Sequence, residues 1–419
     1  MKTYSAGPVL ILTAFLAACG GAESRWAGTM SDSAGVTIVS NTDIGIWAPG
    51  EEWTYEEEVR IGTVEGAPEY RFGEVQGIAV DSRGRIFVLD GQAQHIQVYS
   101  PDGIYEQTIG ARGGGPGELR AGMAVLIGPG DTLLVPDGQN LRFNRYAPDG
   151  SSAGSFRMVL EEGRPMGFRT TASGLIAEQI RPLMVPGQPP IENPTDVIVL
   201  LAIDGTVTDT LMTFPSGELI SSGGVTVYAP EPAWDLTDDV QLVFGVSDEY
   251  RIERYAGGQL ERVIAMPFER RPVGDRHKEA IMSEMERRWV AAGLAAEVRT
   301  RLRDRFHIAD FFPAFGTVAA GPMGTIWVQR LKSESELSEE RPESFTDTGA
   351  PEWDYMDIGT PDWDVFDSEG RLLGVVTMPR RFTPRLFRGD KIYGVWRDEL
   401  DVQYVVRLRI LGELGAGAT

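Results

Sequence analysis

The residues able to do chemistry in this chain are few and scattered. It holds three histidines, His95, His277 and His307, and one cysteine, Cys19. A nucleophile needs a base within hydrogen-bond reach, and no Ser, His and Asp set is legible at these spacings. With the only cysteine near the N-terminus, a His/Cys zinc site is not expected, and no disulfide can form within one chain. No cofactor is expected. A Ca²⁺ ion held by Asp, Asn and carbonyl oxygens is the alternative, without a sequence signature. The run Gly113-Gly114-Gly115-Pro116-Gly117 lacks the Gly-Lys-Ser/Thr ending of a phosphate loop and reads as a turn needing positive φ. What remains is a polar set: Arg181, Asp248, Tyr250, Arg330 and Arg397. Guanidinium forks match carboxylate and phosphate geometry, so this set, brought together, would grip a polar ligand. The competing expectation is that these residues salt-bridge neighbouring structural units. Trp353, Tyr355 and Trp363 either stack on a sugar or peptide or pin a loop. Asp90 and Asp137 are expected to cap turns.

The elements that must position these residues are strands. A strand-pair pattern recurs about every 40 to 50 residues. Its first copy, Gly77 to Gly110, reads GIAVDSRGRIFVLDGQAQHIQVYSPDGIYEQTIG, four β-patterned runs with the tight turns DSRG and SPDG. Five copies follow, with middle strands at 132–135 and 141–146, 174–177 and 197–202, 240–244 and 250–255, 324–328 and 363–366, and 391–395 and 403–408. A small sheet apolar on both faces cannot bury itself, so the copies must stack as blades around a channel. The sixth copy lacks a fourth strand. The alternating run at 53–60 is the natural donor, which would close the ring and remove open edges. The fold class expected is all-β, a six-bladed β-propeller over 35–411, with a short helical insertion between blades four and five at 268–313. There Ile281, Met285 and Trp289 lie four apart, and Leu294, Val298, Leu302 and Phe306 resume the stripe after Gly293. Two amphipathic helices follow, with Asp275 as a cap. The insertion's arginines, among them Arg287, Arg299 and Arg303, are expected to face an acidic stretch at 331–361 (Glu334, Glu336, Asp354) or an anionic ligand.

GIAVDSRGRIFVLD, HIQVYSPDG and the Gly113–Leu119 run resemble the six-bladed propellers of the NHL-repeat/TolB-like type. The resemblance spans most of the chain after residue 53. It implies the ring but no single activity, since related propellers include binding modules, lyases and lactone hydrolases. Some of the lyases hold zinc through histidines on inner strands, and the inner strands read here, 77–80 and 124–127, carry none. In such a blade the turns alternate between two faces. The tight turns (DSRG, SPDG, GPGD, APDG, IDG, DSEG) all fall on one. The long insertions, 111–121, 180–193, 268–313 and 331–361, fall on the other, which makes that decorated rim the expected functional face.

The N-terminus supplies an address. Lys2, an apolar run at 9–18 and Leu16-Ala17-Ala18-Cys19-Gly20 resemble a bacterial lipoprotein signal. The expectation is a signal peptide at 1–18, a lipid on Cys19, a tether at 19–34 and a flexible tail at 412–419. Gly20 points to the outer membrane by the same resemblance. With 39 Lys+Arg against 61 Asp+Glu the net charge is −22, a field that repels nucleic acid. The function expected is a lipid-anchored cell-envelope module binding a protein or small polar ligand at the decorated rim. The alternative is a propeller-type lyase or lactone hydrolase with a divalent metal in the channel.

Overall fold

The computed structural model describes residues 25–158, 163–170, 175–183, 191, 193–217, 220–221, 224–237, 239–333, 336 and 358–412. Cys19, the stretch at 1–18 read as a signal peptide and residues 413–419 lie outside them. Six four-stranded antiparallel blades make a ring. Blade 1 shows why these residues do so. Its second strand, Ile86–Asp90, is apolar without alternation up to the closing Asp90, and every residue in it is buried. Side chains of a strand alternate between faces. Ile86 and Val88 therefore enter the cluster shared with blade 6, and Phe87 and Leu89 the one shared with blade 2. The same division repeats around the ring, one apolar cluster in each gap between blades. At the tightest turns the chain needs φ values that only glycine adopts cheaply, +79° at Gly103 of SPDG and +80° at Gly370 of DSEG.

The innermost strands, lining the channel, are Val75–Val80, Leu126–Ile127, Arg164–Thr170, Pro232–Leu236, Val318–Ala320 and Phe382–Arg388 for blades 1 to 6. Blade 6 takes its outer strand, Thr54–Ile61, from the N-terminal side of the ring, paired antiparallel to Gln403–Leu411. Trp53 enters the core between blades 5 and 6, its ring 6.2 Å from that of Trp327. Ring closure by this segment was legible in the sequence. A second use of the N-terminus was not. A hairpin, Thr29–Ser33 with Val36–Ser40, adds to the outer edge of blade 4 through parallel pairing of Thr37 with Arg262 and Ser40 with Ala265. The chain then runs along blade 5, where Asn41 accepts from the Leu372 amide and donates to the Gly370 carbonyl. The N-terminal segment thus straps blades 4, 5 and 6. Its first strand begins inside the stretch read as a tether.

The insertion after blade 4 is helical: α1 (Asp275–Ala291) and α2 (Ala296–Arg303). Asp275 is the first helical residue of α1, favourable there for the helix dipole, while Gly274 holds the cap position without a side-chain bond. The connection from blade 3 to blade 4, not among the long insertions read from sequence, also carries structure. Its strand Gly224–Val227 pairs in parallel with Phe306–Ile308 just after α2. The two connections share a seventh apolar cluster around Val227, Tyr228, Ile281 and Phe312. Together they form one cap on the face opposite the tight turns.

Candidate ligand-binding site

Two buried carboxylates organise the rim on the capped face. Asp364, in the third strand of blade 5, is 2 % exposed and accepts three bonds. One comes from Tyr250 Oη of blade 4 at 2.6 Å, and two from Arg330 of its own blade, Nε at 2.9 Å and Nη2 at 2.6 Å. Asp196, in the third strand of blade 3, is fully buried. It accepts from Gln179 Nε2 at 2.6 Å, from Arg181 Nε at 3.0 Å and Nη2 at 2.9 Å, and from Ser216 Oγ. Gln179 passes the contact to blade 4 by accepting from Trp234 Nε1 at 2.6 Å. Burial drives the Tyr250 hydroxyl well above the ordinary tyrosine value, and the Asp364 charge adds to it. Burial opposes the charge on Arg330, but the Asp364 carboxylate outweighs it and holds the guanidinium above its ordinary value. Arg181 behaves alike through Asp196, with Glu231 adding to it.

The five residues expected to form a polar ring are thus divided. Tyr250 and Arg330 meet on Asp364. Arg181 is spent on Asp196 within its blade. Arg397 makes an exposed pair with Asp401 at 3.0 Å, and Asp248 is exposed on the loop before Tyr250. The arginines that were to grip a ligand mostly bridge strands and blades instead. Trp363 is buried in the core between blades 5 and 6, so it pins structure and offers no stacking face. Trp353 and Tyr355 lie outside the described residues, as does most of the acidic stretch. The insertion's arginines find partners on α1 itself: Arg287 and Arg288 on Glu284, and Arg299 and Arg303 on Glu286. Asp90 and Asp137 do cap. Asp137 accepts from the amides of Arg120, Ala121 and Asn140, and Asp90 from those of Gly73, Gln92 and Ala93. Of the Gly113–Gly117 run only Gly117 takes positive φ. His277 is buried in the cap, 2.9 Å from Tyr228 Oη, while His307 is exposed, so the histidines do not converge. Among the described residues no three His, Cys, Asp or Glu side chains gather as a metal site.

Sequence reasoning passed over the charges on the inner strands. Arg169 of blade 3 donates from Nε to Asp235 of blade 4 at 2.6 Å, and its guanidinium lies 5.3 Å from the Trp234 ring centroid. The other oxygen of Asp235 accepts from the Ala320 amide of blade 5 at 2.9 Å. Arg385 stands at a bulge in the inner strand of blade 6, between Pro384 paired with Gly394 and Leu386 paired with Tyr393. The signal for both was present, a single arginine within an otherwise apolar run in GFRT and TPRLF. A cleft of ≈ 370 Å³ opens on the capped face between blades 2 and 3, lined by Met123, Leu141, Met158 and Met166 with Arg164.

No protein-family model matches the chain, and no curated protein matches it in sequence. Solved structures do match in fold. A candidate exported protein from Bacteroides fragilis aligns at TM-score 0.51 and 10 % identity, over 89 % of this chain and 99 % of that one. A member of the DUF4221 family from Bacteroides vulgatus aligns at TM-score 0.51 and 10 % identity, over 86 % and 99 %. A virginiamycin B lyase from Staphylococcus aureus aligns at TM-score 0.42 and 13 % identity, over 86 % and 100 %. At these identities the likeness is one of fold, and the chain is a six-bladed β-propeller with a helical insertion between blades 4 and 5.

Proposed function

We propose that this chain is an NHL-type propeller anchored to the cell envelope, in the outer membrane, by a lipid on Cys19. Its capped face binds a protein segment or a small polar ligand. The observation that carries the binding reading is the asymmetry of the ring. One face consists of short glycine turns. On the other, two separate inter-blade connections fold onto each other as a cap with its own apolar cluster. Loops held by a rigid scaffold are where binding groups concentrate. The signal-like segment ending at Cys19 supports the address, and Thr29, where the first described strand begins, is ten residues further along the sequence.

A thermal-melt screen of the full chain tests the reading, using sugars, peptides, organic acids, lactones and divalent cations with and without EDTA. A ligand of the folded state raises the melting temperature saturably. The reading predicts such a ligand, and predicts a smaller shift in Tyr228→Ala, which loosens the cap. A shift given by a divalent cation, reversed by EDTA and accompanied by lactone opening, would replace it with the hydrolase reading. Absence of radiolabelled palmitate from the full chain would remove the anchor, and incorporation that survives Cys19→Ala would move the lipid off Cys19.

A further inference from the structure

We propose that the channel wall formed by Arg385, Arg397 and Arg169 is a binding site for the carboxylate or phosphate group of a small ligand. This deepens the reading of the capped face and rests on it. Arg385 and Arg169 occupy the inner strands of blades 6 and 3, which are opposite each other in a ring of six. Arg397 ends the second strand of blade 6 at the capped end, where its amide bonds the Arg381 carbonyl at 3.0 Å. The three cations therefore lie on the two sides of one channel at different depths, Arg397 at the capped end, Arg385 midway along its strand and Arg169 toward the tight-turn end.

Arg385 differs from the arginines that fasten the blades. Arg85, Arg181, Arg330 and Arg371 each have a carboxylate at 2.6–2.9 Å. Arg385 has no hydrogen-bond or ion-pair partner among the described residues. Its bulge position takes it out of the ladder register. Its pKa is lowered first by burial in the channel wall, then by the charges of Arg397 and Arg169, yet the side chain is exposed. The water it meets is the water of the channel. Asp235 neutralises Arg169 and is also engaged by the Ala320 amide, and the exposed Asp401 pairs with Arg397, so of the three only Arg385 lacks a carboxylate among the described residues. An unpaired planar fork facing other guanidiniums, in a chain of net charge −22, is a local field that an oxyanion would offset. That overall charge repels polyanions, so the ligand class is a small organic acid or phosphate ester.

The test is calorimetric titration of the full chain with succinate and, separately, inorganic phosphate, each against sodium chloride of equal ionic strength. One saturable site is expected for at least one of them. Phosphate alone would assign phosphoryl groups, and succinate alone carboxylates. Arg385→Ala should weaken binding by about tenfold or more, and Arg385→Lys by less, since it keeps the charge and loses the fork. Without ligand, Arg385→Ala should melt no lower than wild type, because it removes repulsion. Equal anion binding in Arg385→Ala, or a lower melting temperature, would show a structural arginine and overturn the proposal. No anion binding while an uncharged ligand still binds would overturn it and spare the capped-face reading. Failure of every ligand would end both.

Discussion

Blades 1 and 2 differ from blades 3 and 5 in how they secure the rim. In blades 1 and 2 the connection between the middle strands is short. The carboxylates closing it, Asp90 and Asp137, are spent mainly on backbone amides. In blades 3 and 5 that connection is a long insertion. The buried carboxylate moves to the third strand, as Asp196 and Asp364, and is held by an arginine at the end of the second. A tight loop presents unsatisfied amides that an acceptor must meet. A long one leaves the strand ends to splay, and an arginine–aspartate bridge holds them together across the gap. Arginines that resemble a ligand grip in sequence are, in these two blades, the fastening that an insertion requires.

Removing each fastening separates the two kinds. Asp196→Ala leaves Arg181, which is only 8 % exposed, with Glu231 at 3.5 Å as its remaining carboxylate partner, and should cost about 4 kcal/mol by chemical denaturation. Asp364→Ala should cost about 3 kcal/mol, less because Arg330 keeps contact with water, although Tyr250 loses its acceptor. Asp137→Ala orphans amides but leaves no charge behind, and should cost about 2 kcal/mol. If Asp137→Ala proves the most damaging of the three, the distinction between backbone caps and side-chain bridges fails.

Alkaline titration gives a finer comparison. Tyr146, at the end of the third strand of blade 2, donates to the Gly117 carbonyl at 3.0 Å, and burial pushes its pKa from 10.0 to about 12. The folded chain keeps this proton where the unfolded chain releases it. The contribution is whole below pH 10 and is lost as pH rises toward about 12. Tyr146→Phe should flatten the loss of stability across that window. At the small end, Glu57→Ala breaks an exposed pair with Arg60 and should change stability by less than about 0.5 kcal/mol.

The ring was legible because its signals are local. Continuous apolar strands such as Ile86–Asp90, turns such as SPDG, and the alternating segment Thr54–Ile61 each declare themselves within a few residues. The helical insertion was legible by its fourfold spacing. The short strand Gly224–Val227 was not, because its partner lies some eighty residues away and four residues carry no period. Of the hairpin at Thr29–Ser40, the run at 35–40 reads as a strand, but its first strand and its pairing with the edge of blade 4 were not legible. The site was legible least of all. Between a ligand grip and a salt bridge, Arg181 and Arg330 stayed undecided because Asp196 and Asp364 lie across insertions, and Arg385 read as nothing because its meaning depends on the opposite blade.

The most direct test of the account is amide hydrogen exchange of the full chain with and without a saturating ligand from the titrations. Slower exchange is predicted in Arg164–Thr170, in Phe382–Arg388 and in the cap strand Gly224–Val227, with the glycine turns of the other face unchanged. Protection confined to the turns around Gly84, Gly103 and Gly370 would contradict it, and would put function on the face with the tight turns.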